Sequence, residues 1–321
     1  MTNSIDISII LPMLNEEKNL EELHSKLTET LVKLGREYEI VTIDDGSTDD
    51  TFEVLKRLHR RDPRLRVIKF RRNFGQTAAI SAGFDHARGD VIITMDSDLQ
   101  NDPSDIPGLL GKIDEGYDVV SGWRADRKDK FLSRRLPSIL ANKFIARMTG
   151  VKLHDFGCTL KAYRKEVIDN INLYGEMHRF IPALARWVGA EITEMKVKHH
   201  PRKHGKSKYG ISRTTRVILD LMTVKFLLAF STRPIQIFGL IGLGSGLLGF
   251  LICLYLSIGK LLFPSEATSL TKRMPMLLLG ILLILVGVQL ITMGLLGEIM
   301  VRTYHESQRK PIYVIKEIVG E

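Results

Sequence analysis

Cysteine is scarce in the sequence, since only Cys158 and Cys253 occur among its 321 residues. The second lies inside a long apolar stretch and the first does not, so the two form no plausible disulfide framework. A chain of this length can bury a core large enough to fold without disulfides or a structural metal. We therefore expect both cysteines to be reduced, with no role in metal binding.

Acidic residues are absent from residues 195–219, although this segment contains eight lysines and arginines. It holds most of the excess of basic over acidic residues, which is 46 − 37 = 9 for the whole chain. Such a segment indicates nucleic acid, an anionic membrane surface or a phosphorylated substrate as the partner. Its first part, residues 196–210, has glycine and proline punctuation and no hydrophobic period, which predicts a loop.

Charge is also absent from two apolar runs, residues 234–259 and 274–297. A bilayer crossing takes about 20 residues, so both runs are long enough to span a membrane. A buried helix of a soluble core is the alternative for one of them, but globular helices are mostly far shorter. Two crossings return the chain to its starting side, and the flanking basic residues predict that this side is the cytoplasm. We expect an integral protein of the cell (plasma or inner) membrane with both termini cytoplasmic, no signal peptide and no nucleic-acid partner.

Short apolar strands alternate with helical patterns up to about residue 125. The strand-like runs are DISIILPML, YEIVTIDDGS, LRVIKF, DVIITMDSD and YDVVSGWR. After the first run, Asn15 is a plausible helix N-cap, and leucines then recur at helical spacing from Leu20 to Leu34. The alternation predicts an α/β fold, with a mainly parallel sheet covered by helices on both faces.

Neither of the two common phosphate-binding glycine loops is present, because G-x-G-x-x-G does not follow the first strand and G-x-x-x-x-G-K-[ST] does not occur. Polar residues instead follow all five predicted strands: Asn15 and Glu16, Asp44 and Asp45, Arg71 to Asn73, Asp96 and Asp98, and Arg124. Ligands of such sheets bind beyond the carboxyl ends of the strands. The five clusters therefore predict one shared polar cleft.

The stretch MDSDLQNDP, residues 95–103, is either a metal-binding segment or a polar turn with a helix cap. An anionic ligand in an acidic cleft needs a counter-charge, and Mg²⁺ is typically held by one or two carboxylates together with substrate phosphates. We predict that Asp98 and Gln100 ligate a divalent metal and that Asp96 faces the nucleotide side. The following residues, from Asp102 to Ser104, are typical of a helix start.

Several segments resemble, in order, the motifs of the family 2 glycosyltransferases with the GT-A fold: IILPMLNEE, IDDGSTDDT, RNFGQTAAISAGFDHARGD and MDSDLQNDP. With DFGCTLKAYR, RKHGKSKY and two C-terminal spans, the chain resembles the polyprenyl-phosphate glycosyltransferases, which include bacterial undecaprenyl-phosphate glucosyltransferases and dolichyl-phosphate mannose synthase. The resemblance implies a Rossmann-like GT-A domain at 1–210. Charged residues scattered among many apolar ones predict a juxtamembrane amphipathic helix at 211–232, and the two uncharged runs predict a transmembrane hairpin at 233–300, followed by a cytoplasmic tail at 301–321. Within the tail, RKPIYVIKE has strand character, which favours its return to the catalytic domain.

The resemblance also implies roles for individual residues. Pro12, Leu14 and Glu16 would line the nucleotide pocket, and Asp44 would contact the uracil or ribose. Asp96 and Asp98 would form the D-x-D pair, with Asp98 and Gln100 on Mg²⁺ or Mn²⁺. The phosphates would be held by Arg124, Arg135, Arg202 and Lys208. Asp155 occupies the place of an acid near the sugar, so the catalytic group would be Asp155, Asp96 and Arg124.

The implied reaction is inverting transfer of a sugar to the phosphate of a polyprenyl phosphate, such as undecaprenyl phosphate, with glucose from UDP-glucose as the favoured donor. A phosphate monoester has a second pKa of about 6, so it is largely ionised at neutral pH and has little need of a general base. Asp155 would then orient a sugar hydroxyl or the acceptor. GDP-mannose or a UDP-N-acetylhexosamine is the alternative donor.

Two other classes of protein fit the sequence less well. A processive polysaccharide synthase has a Q-x-x-R-W motif and many more spans, whereas this chain has Ala183 where glutamine would stand. A non-catalytic membrane scaffold would be expected to lack Asp98 or the arginines, and both are intact. The glycine-rich GLIGLGSGLLG of the first span favours helix packing and a homo-oligomer.

Overall fold

The computed structural model describes residues 5–125, 142, 145–146, 149–171, 173, 177–201, 203, 235–262, 270–307 and 311–320. These residues form two compact units. One contains the described residues up to 203 together with 311–320, and the other contains 235–262 and 270–307. The predicted juxtamembrane helix at 211–232 lies outside the described residues.

The first unit is built on a sheet of eight strands within the described residues: β1 (Ile7–Met13), β2 (Tyr38–Asp44), β3 (Leu65–Phe70), β4 (Val91–Thr94), β5 (Val119–Trp123), β6 (Lys161–Arg164), β7 (Ile192–Lys196) and β8 (Ile315–Val319). Its helices are α1 (Leu20–Leu34), α2 (Thr51–Arg61), α3 (Gln76–His86), α4 (Ile106–Asp114), α5 (Lys165–Ile168) and α6 (Ile181–Trp187). Short 3₁₀ turns occupy Pro103–Asp105 and Met177–Arg179. The strand and helix alternation predicted from the sequence is confirmed.

The strand order is β7-β5-β6-β4-β1-β2-β3-β8. The predicted parallel pairing holds for β4, β1, β2 and β3 in the centre and for β5 with β7. However, β6 is antiparallel to both β4 and β5, and β8 is antiparallel to β3. The sheet is therefore mixed, as in a GT-A fold, because two later segments insert between and beside the parallel strands.

Helix α1 begins later than the sequence predicts. It starts at Leu20 after Asn19, and the predicted N-cap, Asn15, has instead a φ of 56° and lies in the preceding loop. The leucine pattern is confirmed, because Leu20, Leu23, Leu27 and Leu31 are all buried against the sheet core. The helix ends at Gly35, whose φ of 65° is easily adopted only without a side chain.

The second unit is a pair of apolar helices, α7 (Ile235–Leu262) and α8 (Leu270–Ser307). Segments long and apolar enough to cross a bilayer run over Phe238–Gly259 and Arg273–Gly297, with mean hydropathies of 2.1 and 2.6. The two helices approach closely through glycines: a Cβ placed on Gly242 would lie 2.7 Å from the carbonyl oxygen of Gly287. Helix α8 continues to Ser307, seven residues beyond the predicted hairpin end at 300.

The residues predicted to form a C-terminal tail therefore have two structures. Residues 301–307 extend α8, and β8 joins the catalytic sheet. The expected return of this segment to the catalytic domain is confirmed, since its alternating apolar residues pair with the edge strand β3.

Candidate active site

Polar residues from neighbouring strands meet at one edge of the sheet, as the sequence predicts. Asp44 ends β2 and is paired in register with Met13 at the end of β1. Asp96 and Asp98 follow β4, which is parallel to β1 on its other side. Strand β5 points the same way as β4, because β6 is antiparallel to both, so Arg124 also lies at this edge. The roles of these residues stay predictions.

Backbone strain is concentrated at the same edge. Among the described residues, two that are not glycine have a positive φ: Asn15 after β1, with 56°, and Leu99 after β4, with 61°. A leucine in this conformation costs free energy of order 1–3 kcal/mol and persists only where its surroundings hold it. Leu99 stands between Asp98 and Gln100, so the strain shapes the segment predicted to bind metal.

The loops after β1 and β2 brace each other through side chains. The Asn15 Oδ1 accepts a hydrogen bond from the Thr48 backbone at 2.8 Å, and the Asn15 N–H donates to Ser47 Oγ at 2.9 Å. Glu16 N donates to Thr51 Oγ1 at 2.9 Å, and the Glu16 carboxylate accepts from Asn19 Nδ2 at 2.6 Å. This bracing accounts for the late start of α1, because Asn15 holds the neighbouring loop and does not cap the helix.

The predicted nucleotide-pocket residues lie in or beside this braced region. Pro12 and Leu14 are half-buried, and the carbonyl oxygen of Pro12 accepts from Ser97 Oγ at 3.1 Å. Pro12 therefore connects the end of β1 to the Asp96–Asp98 segment. Glu16, in contrast, contributes its carboxylate to the turn before α1, which is a role that the sequence did not reveal.

Asp44 and Asp45 have different surroundings although they are adjacent. Asp44 is fully buried; its Oδ1 accepts from Ser47 N at 2.8 Å, while no donor within the described residues reaches its buried Oδ2. Asp45 accepts from the backbone of Phe74 at 2.6 Å and of Gly75 at 2.9 Å. Asp45 thus holds the loop after β3. Asp44 keeps an unsatisfied acceptor that an N–H or O–H of a ligand would satisfy, provided that its surroundings open.

Asp96 and Asp98 follow β4 as a pair of acids. The Asp96 carboxylate accepts from Gln76 Nε2 at 2.9 Å. Burial raises the pKa of Asp96, and the nearby charge of Asp98 raises it further. A second carboxylate that disfavours ionisation of the first is an arrangement that a cation relieves. Gln76, at the start of α3, belongs to the motif RNFGQTAAISAGFDHARGD, but the sequence alone did not indicate that it contacts Asp96.

Gln100 is connected to the first residues of the basic segment. His200 N donates to the Gln100 carbonyl at 2.9 Å, and Gln100 Nε2 approaches the His200 carbonyl at 3.4 Å. The His200 ring lies 3.0 Å from Asp102 Oδ2, while Asp102 Oδ1 accepts from Ser104 N at the helix start. The predicted capping role of Asp102 is confirmed. Asp98, Gln100 and their strained linker thus form one segment that is fixed at both ends.

Arg124 and Asp155 form a bidentate ion pair. The sequence does not show this pair, because the two residues are 31 positions apart. Arg124 Nε and Nη2 donate to the two carboxylate oxygens of Asp155 at 2.7 and 3.0 Å, and Gly157 N adds a third hydrogen bond at 3.0 Å. Burial opposes the guanidinium charge, but the hydrogen bonds and charge of Asp155 prevail and raise the pKa of Arg124 above its usual value. A carboxylate with three such donors is a poor proton acceptor.

Lys161, on β6, is a buried cation that the sequence did not mark. Only 2% of it is exposed, and its ammonium donates to the backbone carbonyls of Phe156 and Cys158. Burial lowers the pKa of Lys161 to about 8, with Asp155, Arg124 and Arg179 close enough to influence its charge. Lys161 therefore holds the loop that carries Asp155. The signal that could have revealed it is a lysine within the largely apolar stretch GCTLKAYR, because lysine is rarely buried without a specific role.

The carboxylate and amide oxygens after β4 suit a hard divalent cation in type. Within the described residues, no group of three or more acids, histidines or cysteines is arranged to hold a metal alone. The donor set therefore fits a metal that takes part of its coordination from a substrate phosphate. Three predicted phosphate-binding residues, Arg135, Arg202 and Lys208, lie outside the described residues.

A mixed sheet with paired acids and a partly buried arginine at the carboxyl ends of its strands defines a GT-A-like glycosyltransferase. The profile of the family described as "Glycosyl transferase family 2" matches residues 8–171. The chain belongs to this family and is a glycosyltransferase.

Two relatives extend the similarity over nearly the whole chain. The chain is 46% identical to the dodecaprenyl-phosphate galacturonate synthase of Rhizobium johnstonii over 322 residues, which cover 99% of this chain and 94% of that protein. It is 40% identical to the undecaprenyl-phosphate 4-deoxy-4-formamido-L-arabinose transferase of Pseudomonas aeruginosa, over 98% of this chain and 90% of that protein. Polyprenyl-phosphate sugar transfer is thus the class of reaction.

A solved structure shows the same fold at low sequence identity. The glucosyl-3-phosphoglycerate synthase of Mycobacterium tuberculosis, in complex with Mn²⁺, UDP-glucose and phosphoglyceric acid, is 19% identical, with a TM-score of 0.54 over 70% of this chain and 79% of that one. The GT-A fold predicted from the sequence is confirmed.

Proposed function

We propose that the protein transfers a sugar from a UDP-sugar to the phosphate of a membrane polyprenyl phosphate, with its catalytic unit on the cytoplasmic side. One observation carries the proposal: paired acids and a partly buried arginine–aspartate pair lie at one sheet edge of a chain that also has two span-length apolar helices. A water-soluble acceptor would not require such helices. The basic segment after β7 supports an anionic acceptor at the membrane surface.

Arg124 is the proposed binding group for a phosphate at the reaction centre. A guanidinium has five N–H donors, and the pair with Asp155 engages two of them. The remaining donors can bind phosphate oxygens while Asp155 keeps the plane of the guanidinium fixed. Asp155 therefore acts as a positioning residue, and the acceptor phosphate, already ionised near neutral pH, attacks the anomeric carbon without a protein base.

The proposed metal is Mg²⁺ or Mn²⁺, bound by Asp98 and Gln100 beside Asp96. When bound, it supplies positive charge that stabilises the leaving diphosphate. The protein's own part is to hold these oxygens together through the strained Leu99 and the Gln100–His200 contacts. Asp44 is proposed to accept a hydrogen bond from the uracil or ribose through its unsatisfied Oδ2.

For the donor we place UDP-galacturonate ahead of UDP-glucose. The sequence motifs favoured glucose, but the two relatives that match nearly the whole chain are named for galacturonate and for 4-deoxy-4-formamido-L-arabinose. The higher identity, 46%, belongs to the galacturonate synthase. A sugar carrying a carboxylate is therefore the first donor to test.

The test is a donor panel with the full chain in detergent and undecaprenyl phosphate as acceptor. UDP-galacturonate, UDP-4-deoxy-4-formamido-L-arabinose, UDP-glucose and GDP-mannose are compared with Mg²⁺, with Mn²⁺ and after chelation. We expect metal-dependent release of UDP and a prenyl-linked sugar, fastest with UDP-galacturonate. A faster reaction with UDP-glucose would overturn the donor proposal. Absence of turnover with every donor would favour the scaffold alternative.

A further inference from the structure

The chain that follows the second apolar helix becomes part of the donor-binding half of the catalytic sheet. β8 pairs with β3 over Val67↔Val319, Ile68↔Ile318 and Lys69↔Glu317, and the register shifts between Lys69 and Phe70. The contact continues beyond this irregularity, where Arg71 N donates to the Val314 carbonyl at 3.1 Å. The C-terminal segment therefore reaches the first residue of the loop between β3 and α3.

Tyr313 connects this segment to β3, which precedes the loop, and to the last turn of α3, the helix that follows the loop. Its ring stacks on Phe70 of β3, with centroids 5.1 Å apart and planes 12° from parallel. Its hydroxyl donates to Asp85 Oδ2 of α3 at 2.7 Å, and only 6% of the residue is exposed. Phe70 in turn packs edge-on against Phe74 of the loop at 5.7 Å. One buried side chain thus joins the strand before the loop to the helix after it.

The loop that Tyr313 supports, residues 71–75, rests directly on the turn after β2. Its Phe74 and Gly75 N–H groups donate to Asp45. A Cβ on Gly46 would lie only 2.5 Å from the Arg72 carbonyl carbon, so the two backbones are in contact. This turn immediately follows Asp44, the proposed nucleotide contact. Displacement of the loop would therefore release Asp45 and alter the backbone that holds Asp44.

We propose that Tyr313 is a positioning residue for the nucleotide pocket, acting through Phe70, Phe74 and Asp45. The inference rests on the proposed function, because it takes the Asp44–Asp45 turn as the nucleotide side of the site. The C-terminal segment then supports the donor site, so changes at Tyr313 affect donor binding and not the chemical step.

The variants separate this role from simple support of the sheet. Tyr313→Ala removes both the ring stack and the hydroxyl contact, while Tyr313→Phe removes only the hydrogen bond to Asp85. Ile318→Ala is the matched control, because Ile318 lies in the same strand but pairs with Ile68, away from the loop. All three are made in the full chain, and their thermal unfolding is recorded in the same detergent.

The measurements are the Kd for UDP with Mn²⁺ by calorimetry, and KM and kcat for the donor that the wild type uses best. We expect Tyr313→Ala to raise Kd and KM about tenfold with kcat within about twofold, Tyr313→Phe to raise them about two- to threefold, and Ile318→Ala to leave them unchanged. Equal Kd values for Tyr313→Ala and wild type would overturn the inference alone, as would equal increases in Tyr313→Ala and Ile318→Ala. A wild type that binds no UDP would overturn the proposed function itself.

Discussion

The two units of the protein use apolar side chains and glycine in opposite ways. In the catalytic unit Ile9, Ile10 and Val41 are wholly buried, and Gly35 and Gly46 occupy turns that need a positive φ. In the helix pair, large apolar side chains face outward, with 75% of Leu240 and 73% of Met300 exposed. There four glycines lie between the helices, where Gly242 faces Gly287 and Gly249 faces Gly280.

The difference follows from the solvent that each unit is built for. In water, removal of apolar surface from solvent stabilises a fold, so the catalytic unit buries its apolar residues. In hydrocarbon that driving force is absent, and close approach of backbones at small residues holds helices together. The catalytic unit therefore buries a charged group together with hydrogen-bond donors, as it does for Asp155 with Arg124 and Gly157. The two apolar runs of the helix pair, residues 234–259 and 274–297, contain no charged residue to bury.

The largest expected effect is a loss of turnover in the catalytic unit with no loss of stability. Asp98→Asn removes a proposed metal ligand, while the new amide oxygen can still accept from Gln100 N. We expect turnover to fall by about 100-fold or more, because stabilisation by a metal is worth several kcal/mol. The melting temperature should stay within about 2 °C of wild type.

Asp102→Asn is the control for Asp98→Asn, since it removes the same charge four residues away and its amide oxygen can still cap Ser104. It should keep most of the activity. Similar losses of turnover in the two variants would show that activity depends on the total negative charge of this segment and not on Asp98 in particular. That result would contradict the assignment of Asp98 to the metal.

The second prediction changes the helix pair and leaves the site intact. Gly287→Leu introduces a side chain where a Cβ already lies 2.6 Å from the Gly242 carbonyl oxygen. Overpacking of this kind costs about 1–3 kcal/mol, so we expect a lower unfolding temperature of the helices in detergent, followed by circular dichroism. UDP binding should be unchanged, because the catalytic unit has its own core.

Gly244→Leu gives the control in the facing helix α7, two residues from Gly242. A Cβ on Gly244 meets no atom within 4 Å, and the residue is exposed. It should not lower the unfolding temperature. If Gly244→Leu destabilised the pair as much as Gly287→Leu, then the contact at Gly242–Gly287 would not be what holds these helices together.

The sequence predicted those features that depend on neighbours along the chain. The apolar runs predicted β1 to β5, and their polar ends predicted the shared edge where Asp44, Asp96 and Arg124 lie. The lengths of the two uncharged runs predicted the apolar helices. In each case a short stretch of sequence was enough, because the regular geometry of a strand or helix fixes where its residues lie.

Contacts between distant parts of the chain could not be predicted in this way. Arg124 and Asp155 are 31 residues apart, and nothing in either segment shows that they pair. Asn15 has the ordinary features of an N-cap, but its contact with Thr48 prevails. The antiparallel insertion of β6 is likewise decided by the sheet as a whole, and it is this insertion that brings Lys161 beneath the site.

The smallest expected effect concerns Lys161, the one buried cation whose charge changes near neutral pH among the described groups with a resolved shift. Burial lowers the pKa of Lys161 to about 8, below the value of about 10.4 expected for an unfolded chain. Between these values the unfolded state binds more protons, so this residue's contribution to the free energy of unfolding rises with pH. Loss of its charge, however, weakens its hold on the carbonyls of Phe156 and Cys158.

Stability and turnover should therefore move in opposite directions at alkaline pH. We expect kcat of the wild type to fall several-fold between pH 7 and 9, while the Lys161 contribution to stability does not fall. Lys161→Arg keeps its charge over this range and should lack the decline, and Lys161→Met should be less active but independent of pH. An alkaline decline that persists in Lys161→Met would assign it to another group. In that case the positive charge of Lys161 would have no part in turnover, and its contacts with the carbonyls of Phe156 and Cys158 would serve only the structure of the Asp155 loop, as the glycines of the helix pair serve only packing.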